Sequence, residues 1–68
     1  MNVDMMKGAI RASGRTQRKL AQEIGLSTSR LNAKINGKRG AAFTVPEIKR
    51  IEALLELTPE STYQIFLG

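Results

Sequence analysis

Apolar residues recur along the chain at intervals of three and four, which is the spacing of one face of an α-helix. Val3, Met6 and Ile10 begin the series, and the same spacing returns at Leu31 and Ile35. No sustained run alternates apolar and polar residues, as a half-buried β-strand would. The pattern therefore predicts an all-α fold.

Capping residues divide this pattern into five segments. Ser, Thr and Asn accept hydrogen bonds from the first free N–H groups of a helix, and glycine often ends one. Thr44 and Glu47 have the spacing of a capping box, and Pro59 suits a first helical turn. The predicted helices are about Val3–Ser13 after Asn2, Gln17–Ile24 after Thr16, about 28–36 after Ser27, a fourth opening at Thr44 and a fifth at Thr58, with a loop over 37–43.

The inward positions of these helices predict the core. In the second and third helices they are Leu20, Ala21, Ile24, Leu31 and Ile35. In the last two helices we expect the packed residues to be Ile48, Ile51, Leu54, Leu55, Tyr63 and Phe66, with Ile65 as a further candidate.

Length and composition narrow the class of protein. The 68 residues predict one domain over 1–68 and contain no His and no Cys. The chain therefore lacks a disulfide framework, a thiolate zinc site and the commonest general base. It also lacks a glycine-rich phosphate loop. We expect a protein that is not an enzyme and that uses no metal, cofactor or small-molecule ligand.

The hydropathy pattern predicts a location. No apolar run approaches the 18 residues of a membrane-spanning helix. The start, Met1-Asn2-Val3-Asp4, lacks the cationic and apolar regions of a signal peptide. The sequence predicts a cytoplasmic protein without a membrane partner.

The formal net charge of +5 is unevenly distributed. Residues 1–40 hold nine basic and two acidic residues, a net of +7, whereas residues 41–68 hold two basic and four acidic residues, a net of −2. A cationic half attracts a polyanion such as nucleic acid. The three aromatic residues lie outside this half, which disfavours single-strand binding by base stacking.

The basic half contains two short helices joined by Ile24-Gly25-Leu26-Ser27. Gly25 permits the left-handed backbone that a tight turn requires. This spacing predicts a helix-turn-helix over 16–36, in which the second helix enters the DNA major groove. The alternative is a helical hairpin that only packs within the fold and does not contact DNA. The outward face of the second helix favours DNA, because it is short, polar and free of acid.

Basic residues also bracket this helix, where phosphate contacts are needed if it lies in a groove. Arg15, Arg18 and Lys19 precede it, and Lys34, Lys38 and Arg39 lie at its far end.

The stretch resembles the lambda-repressor-like (Cro/CI, XRE-type) helix-turn-helix family, through Thr16-Gln17, Leu20-Ala21, Gly25-Leu26-Ser27, Ser29, Leu31 and Asn36-Gly37-Lys38. Small phage Cro-like repressors of Gram-positive hosts are resembled by the downstream residues, which are Phe43-Thr44, the helix with Ile48, Ile51 and Leu54, and the ending Leu57-Thr58-Pro59-Glu60 with Ile65-Phe66. The resemblance implies a five-helix domain that binds operator DNA, commonly as a homodimer.

The resemblance also implies roles for individual residues. Thr28, Ser29 and Ala33 occupy base-reading positions, and Asn32 is placed to reach a base or a phosphate. Arg30 is placed for guanine or for a flanking phosphate. Ser29 and Ala33 are shorter than the Gln or Arg that the family often has. The phosphate contacts implied by bracketing and resemblance together are Arg15, Thr16, Gln17, Arg18, Lys34, Asn36, Lys38 and Arg39.

These observations predict a sequence-specific, double-stranded DNA-binding transcriptional regulator of phage or prophage origin. The third helix, about 28–36, would read the major groove of operator DNA. Two alternatives remain, which are a protein-interaction module that retains the fold, such as an antitoxin or anti-repressor, and a nonspecific nucleic-acid binder. The candidates for a dimer contact are the C-terminal apolar residues Leu55, Leu57, Ile65, Phe66 and Leu67.

Overall fold

The computed structural model describes all 68 residues and is entirely helical, as the hydrophobic spacing predicted. It measures 26 × 23 × 21 Å along its principal axes. No helix is both long and apolar enough to cross a membrane. The elements are α1 (Val3–Ala12), α2 (Gln17–Ile24), α3 (Thr28–Asn36), a 3-10 turn (Lys38–Gly40), α4 (Val45–Leu54) and α5 (Pro59–Phe66).

Every helix begins at the predicted cap. The side chains of Asn2, Thr16, Ser27, Thr44 and Thr58 each accept a hydrogen bond from the backbone N–H three residues later. At Thr44 the capping box is complete, because the Thr44 N–H also donates to Glu47 Oε1 at 2.8 Å. These caps satisfy N–H groups that have no partner inside the helix.

Ten buried side chains form one core, and all of them are apolar. Every α-helix contributes residues to this core, and the inward residues predicted for α2 and α3 are all part of it. Because no polar side chain is buried, the core needs no internal hydrogen-bond network. Its members are Met6, Ile10, Leu20, Ala21, Ile24, Leu31, Ile35, Ile51, Leu55 and Ile65.

The expectation for α5 was wrong in part. Tyr63 is 61% exposed, whereas Ile65 is buried and Phe66 is half-buried with its ring edge-on to Phe43 at 5.5 Å. The carbonyl of Ile65 also accepts a hydrogen bond from the Asn2 N–H at 2.7 Å, which joins α5 to the start of α1. The side of α5 that carries Ile65 therefore faces the core, and Tyr63 lies on the outer side.

Two of the candidate dimer residues belong to the core instead. Leu55 and Ile65 are buried within the chain, whereas Leu67 is 72% exposed. Leu57 and Phe66 are half-buried against the core. A contact with another molecule can therefore reach Leu67 but not Leu55 or Ile65.

The segment after α3 is more structured than the predicted loop. Residues Lys38–Gly40 form a single 3-10 turn, and the backbone of Arg39 is left-handed at φ 53°, ψ 34°. Gly37 and Gly40 on either side also have positive φ. Left-handed backbone costs a non-glycine residue about 1–2 kcal/mol. The fold holds Arg39 in this conformation despite that cost.

Candidate nucleic-acid interface

The third helix is fixed to the core along one side only. Leu31 and Ile35 are the two residues of α3 that are completely or almost completely buried. Ala21 of α2 is also buried, and Gly25 ends α2 with φ 78°, so the chain turns sharply into α3. The side of α3 opposite Leu31 faces outward.

The outward side of α3 carries the predicted base-reading residues. Thr28, Ser29 and Arg30 are exposed, and Asn32 and Ala33 are half-buried. None of these residues is acidic. All five residues lie on α3. The helical spacing predicted Ser29 and Ala33 opposite the core with Arg30 and Asn32 beside them, whereas the role of Thr28 was implied only by the resemblance.

A shallow depression of about 360 Å³ runs from this surface to the turn after α3. Thr28, Ser29 and Asn32 line it on the helix, and Lys38 closes its far end. Hydroxyl and amide groups therefore lie next to a cationic side chain. Such groups can hydrogen-bond to base edges, while an ammonium contacts phosphate.

Asn32 and Asn36 are linked along this side of the helix. The Asn36 side-chain amide donates to the Asn32 carbonyl oxygen at 2.9 Å and to its Oδ1 at 3.3 Å. The amide group of Asn32 keeps both of its N–H donors available. An asparagine in this state can offer those donors to an acceptor in a groove.

Several cations near α3 have no acidic partner. The side chains of Arg18, Lys19, Arg30, Lys38 and Arg39 are exposed and make no hydrogen bond or ion pair within the chain. No carboxylate lies within ion-pair distance of any of them, although Glu23 is near enough to Lys19 to interact with its charge. Their positive charge is available to an external anion.

Arg15 has a different environment from these cations. Its Nε donates to Glu23 Oε1 at 2.7 Å and its Nη2 donates to Glu23 Oε2 at 3.3 Å. The hydrogen bond from Arg15 holds the pKa of Glu23 below its usual range. Arg15 therefore joins the segment before α2 to the end of α2, a role that its position in the basic half did not indicate.

Lys34 also points into the fold. Its ammonium donates to Glu47 Oε1 at 2.9 Å and to the Ala42 carbonyl at 3.1 Å, and it lies 6.0 Å from the centre of the Phe43 ring. Only 12% of the Lys34 side chain is exposed. This lysine connects α3 to the cap of α4.

The pKa of Glu47 reflects this arrangement. Burial acts to raise the pKa, but hydrogen bonds from Lys34 and from the Thr44 backbone outweigh burial and hold the pKa below its usual range. Glu47 therefore stays ionised, and the same Oε1 atom serves α3 and the α4 cap.

The first turn of α2 also faces solvent in part. Thr16 is exposed and its Oγ1 accepts the Lys19 N–H at 3.1 Å, while Gln17 is half-buried at the first helical position. The first turn of α2 contains no acidic residue. A helix start of this kind has a positive dipole end without a competing carboxylate.

Arg50 has a role that the sequence patterns did not reveal. From α4, its Nη2 donates to the Glu23 carbonyl at 2.7 Å, near the last turn of α2. This bond supports the segment that leads into α3. The only signal in the sequence was that Lys49 and Arg50 are the sole basic residues after residue 40.

No protein-family model, curated protein or solved structure matches this chain.

Proposed function

We propose that this chain is a sequence-specific, double-stranded DNA-binding transcriptional regulator. The observation that supports it most strongly is α3 itself. Buried Leu31 and Ile35 hold the helix from one side, and its other side is polar, acid-free and flanked by unpaired cations. A helix in a major groove needs a rigid mount, hydrogen-bonding side chains and phosphate contacts at its margins.

In this proposal α2 and α3 form the helix-turn-helix of a lambda-repressor-like domain, and α3 lies in the major groove. Ser29, Thr28 and Asn32 hydrogen-bond to base edges, and Ala33 contacts a thymine methyl group. Arg30 reaches a guanine or a flanking phosphate. Because most of these side chains are short, each contact requires close approach of the helix to the bases.

The residues implicated in phosphate contact divide into three groups. Arg18, Lys38 and Arg39 contact the backbone directly through unpaired side chains, while Thr16, Gln17 and Asn36 supply uncharged donors. Arg15 and Lys34 keep their carboxylate partners and contribute indirectly, by fixing α2 and α3. The salt dependence of DNA affinity therefore comes chiefly from Arg18, Lys38 and Arg39, because a phosphate that a cation neutralises releases its counterions.

The biological setting is part of the same proposal. The resemblance to Cro-like phage repressors suggests a regulator of phage or prophage origin that acts in a bacterial cytoplasm. Two copies bind paired half-sites about one helical turn apart. Occupancy of such an operator blocks or alters access of RNA polymerase, and the protein performs no catalysis.

Selection of bound duplexes from a random pool, followed by sequencing, tests this proposal. Full-length protein is incubated with the pool at moderate salt, and a variant with Ser29, Arg30 and Asn32 all changed to Ala is the matched control. We expect a palindromic consensus for the wild type and no consensus for the control. A steep salt dependence without any enriched sequence would support nonspecific binding instead. Absence of DNA binding would support a protein-interaction module.

A further inference from the structure

A small cleft lies between α1 and the start of α2, and we call it the α1–α2 cleft. Lys7, Ile10 and Arg11 line it from α1, and Thr16 and Gln17 line it from α2. Its volume is about 180 Å³, which is below the range of about 300–1,000 Å³ for pockets that enclose a whole small molecule. The cleft therefore suits a single chemical group of a larger ligand.

Two unpaired cations lie on the α1 side of this cleft. Lys7 and Arg11 are four residues apart, so they lie on the same face of α1, one turn from each other. Both side chains are exposed, and neither forms a hydrogen bond or an ion pair within the chain. Asp4, the only acidic residue of α1, does not line the cleft. The fold therefore leaves both positive charges without a carboxylate partner.

Hydrogen-bond donors lie on the α2 side of the cleft. The Oγ1 atom of Thr16 accepts the Lys19 N–H, which leaves the Thr16 hydroxyl free to donate, and Gln17 adds a side-chain amide. The backbone N–H groups of Gln17 and Arg18 also form no hydrogen bond within the chain. Cations combined with N–H and O–H donors are the groups with which proteins bind phosphate.

The turn between α1 and α2 fixes the shape of the cleft. The carbonyl of Ile10 accepts hydrogen bonds from Ser13 Oγ at 2.6 Å and from the Arg15 N–H at 3.3 Å. Gly14 has a φ of 78°, a conformation that glycine adopts without steric cost. Ile10 itself is only 3% exposed and belongs to the core. The cleft is therefore formed before a ligand arrives, which lowers the entropy lost on binding.

We propose that the α1–α2 cleft binds a phosphate of the DNA backbone through Lys7 and Arg11, beside the bases that α3 reads. This contact depends on the proposed function, in which α3 lies in the major groove. The cleft adjoins the first turn of α2, whereas α3 follows the last turn, and the eight residues of α2 separate these ends by about 12 Å. The helix α1 therefore extends the bound segment of DNA with a contact that carries no sequence information.

The surrounding charge favours DNA over a free phosphate ion as the ligand. Residues 1–40 have a net charge of +7, and the unpaired Arg18 lies in the first turn of α2, next to Gln17. A free ion occupies the cleft alone. A nucleic-acid strand carries a phosphate at every about 3.4 Å of rise, so neighbouring phosphates can meet Arg18 and the cleft together.

Fluorescence anisotropy over a range of salt concentrations tests the proposal, with the full chain and a duplex that extends beyond the selected sequence at both ends. The test variants are Lys7→Gln and Arg11→Gln, because glutamine keeps a similar helix propensity. Lys49→Gln is the matched control, since it removes one exposed cation outside the basic half. We expect each test variant to reduce the salt slope by about 1 for each bound copy, and the control to leave it unchanged.

Methylphosphonate substitution, which removes the charge of one DNA phosphate at a time, locates the contact. At one position beside the bases that α3 reads, loss of the charge should weaken binding of the wild type. The same loss should have little further effect on Lys7→Gln or Arg11→Gln, because the partner cation is already absent. If no phosphate behaves in this way, the proposal is wrong.

Inorganic phosphate distinguishes a DNA contact from a site for the free ion. Its binding is followed by the NMR shifts of the Thr16 and Gln17 amides at constant ionic strength. Saturable binding of the ion, together with unchanged DNA salt slopes in Lys7→Gln and Arg11→Gln, would mean that the cleft binds the free ion and would overturn the proposal.

The outcomes separate this proposal from the proposed function. Sequence-selective binding with wild-type salt slopes in Lys7→Gln and Arg11→Gln would overturn the cleft contact alone. Equal affinity for selected and scrambled duplexes, with lower slopes in both variants, would support the cleft contact and overturn sequence-specific regulation. Absence of binding to every duplex would overturn both.

Discussion

Lys34 and Glu47, which are 13 residues apart in sequence, meet at 2.9 Å and join α3 to the start of α4. The same carboxylate oxygen accepts the Thr44 N–H at 2.8 Å. One atom thus completes the cap of α4 and holds a side chain of α3. The orientation of α3 is therefore coupled to the integrity of the α4 cap.

Removal of the Lys34 charge should destabilise the fold. Lys34→Met keeps the length of the side chain but leaves Glu47 without its cation, and we expect a loss of about 1–2 kcal/mol in the free energy of unfolding. Lys7→Met is the control, because Lys7 is exposed and forms no ion pair. The control should change stability by less than about 0.5 kcal/mol.

Urea unfolding measures both Lys34→Met and Lys7→Met. A double-mutant cycle with Glu47→Gln isolates the energy of the pair from other effects of each change. Equal stabilities for Lys34→Met and wild type would mean that the contact contributes nothing.

The stability of the protein should fall in acid because of Glu23 and Glu47. The pKa of each carboxyl is held below its ordinary value of 4.5 in the folded state. Their ionised forms therefore stabilise the fold fully above about pH 4.5, and this contribution is lost as the pH falls through the lowered pKa.

Thermal or urea unfolding from pH 7 to pH 3 measures this effect. Glu47→Gln should be less stable than wild type at pH 7, and the gap should narrow as the pH falls below about 4.5, since the wild-type carboxyl takes up a proton as the pH passes through its lowered pKa. Gln64→Ala, which changes an exposed residue of α5 that carries no titratable group, is the control and should run parallel to wild type across the range. A constant gap between Glu47→Gln and wild type would argue against the lowered pKa.

Replacement of Arg39 by glycine should have opposite effects on the stability of the fold and on DNA affinity. Glycine adopts positive φ without steric cost, so Arg39→Gly should raise the free energy of unfolding by about 0.5–1 kcal/mol. Lys38→Gly should lower it, because the backbone of Lys38 is not left-handed. If both side chains contact phosphate, both variants should bind the selected duplex more weakly. Loss of stability in Arg39→Gly would contradict the strain at this position.

Arg30 and Arg18 distinguish base reading from phosphate contact. Arg30→Ala or Asn32→Ala should cost about 1–3 kcal/mol on the selected operator and relax its specificity where a base contact is lost. Arg18→Ala should weaken binding to all duplexes alike and reduce the salt slope by about 1. Fluorescence anisotropy over a range of salt concentrations, with selected and scrambled duplexes, provides both measurements. Unchanged affinity and specificity in Arg30→Ala and Asn32→Ala would mean that this side of α3 does not contact the bases.

Local signals in the sequence were sufficient to predict where the helices begin. Each begins at a cap that is recognisable within four residues, and α1 differs from expectation only by ending at Ala12 rather than Ser13. The core side of α3 was equally clear, because Leu31 and Ile35 are its only large apolar residues. Local chemistry therefore predicted where α3 lies and which of its side chains face out.

Contacts between distant residues were not predictable in this way. Lys34 has the same charge as Lys38, and only its meeting with Glu47 across 13 residues separates their roles. In α5, the adjacent Ile65, Phe66 and Leu67 and the nearby Tyr63 are all apolar or aromatic, so spacing alone does not select the buried side. The position of α5 against the start of the chain decides it, as the bond from Asn2 to Ile65 shows.

Because α3 packs against the core along one side only, the residues that pack and the residues that face outward are different ones. Leu31 and Ile35 carry the packing, while Thr28, Ser29 and Arg30 make no side-chain hydrogen bond or ion pair inside the chain. Substitutions at these three outward positions can therefore accumulate with little loss of folded protein. If α3 reads DNA as proposed, descendants of this chain, or libraries built on it, can acquire new sequence preferences by changing a few codons while the scaffold stays the same.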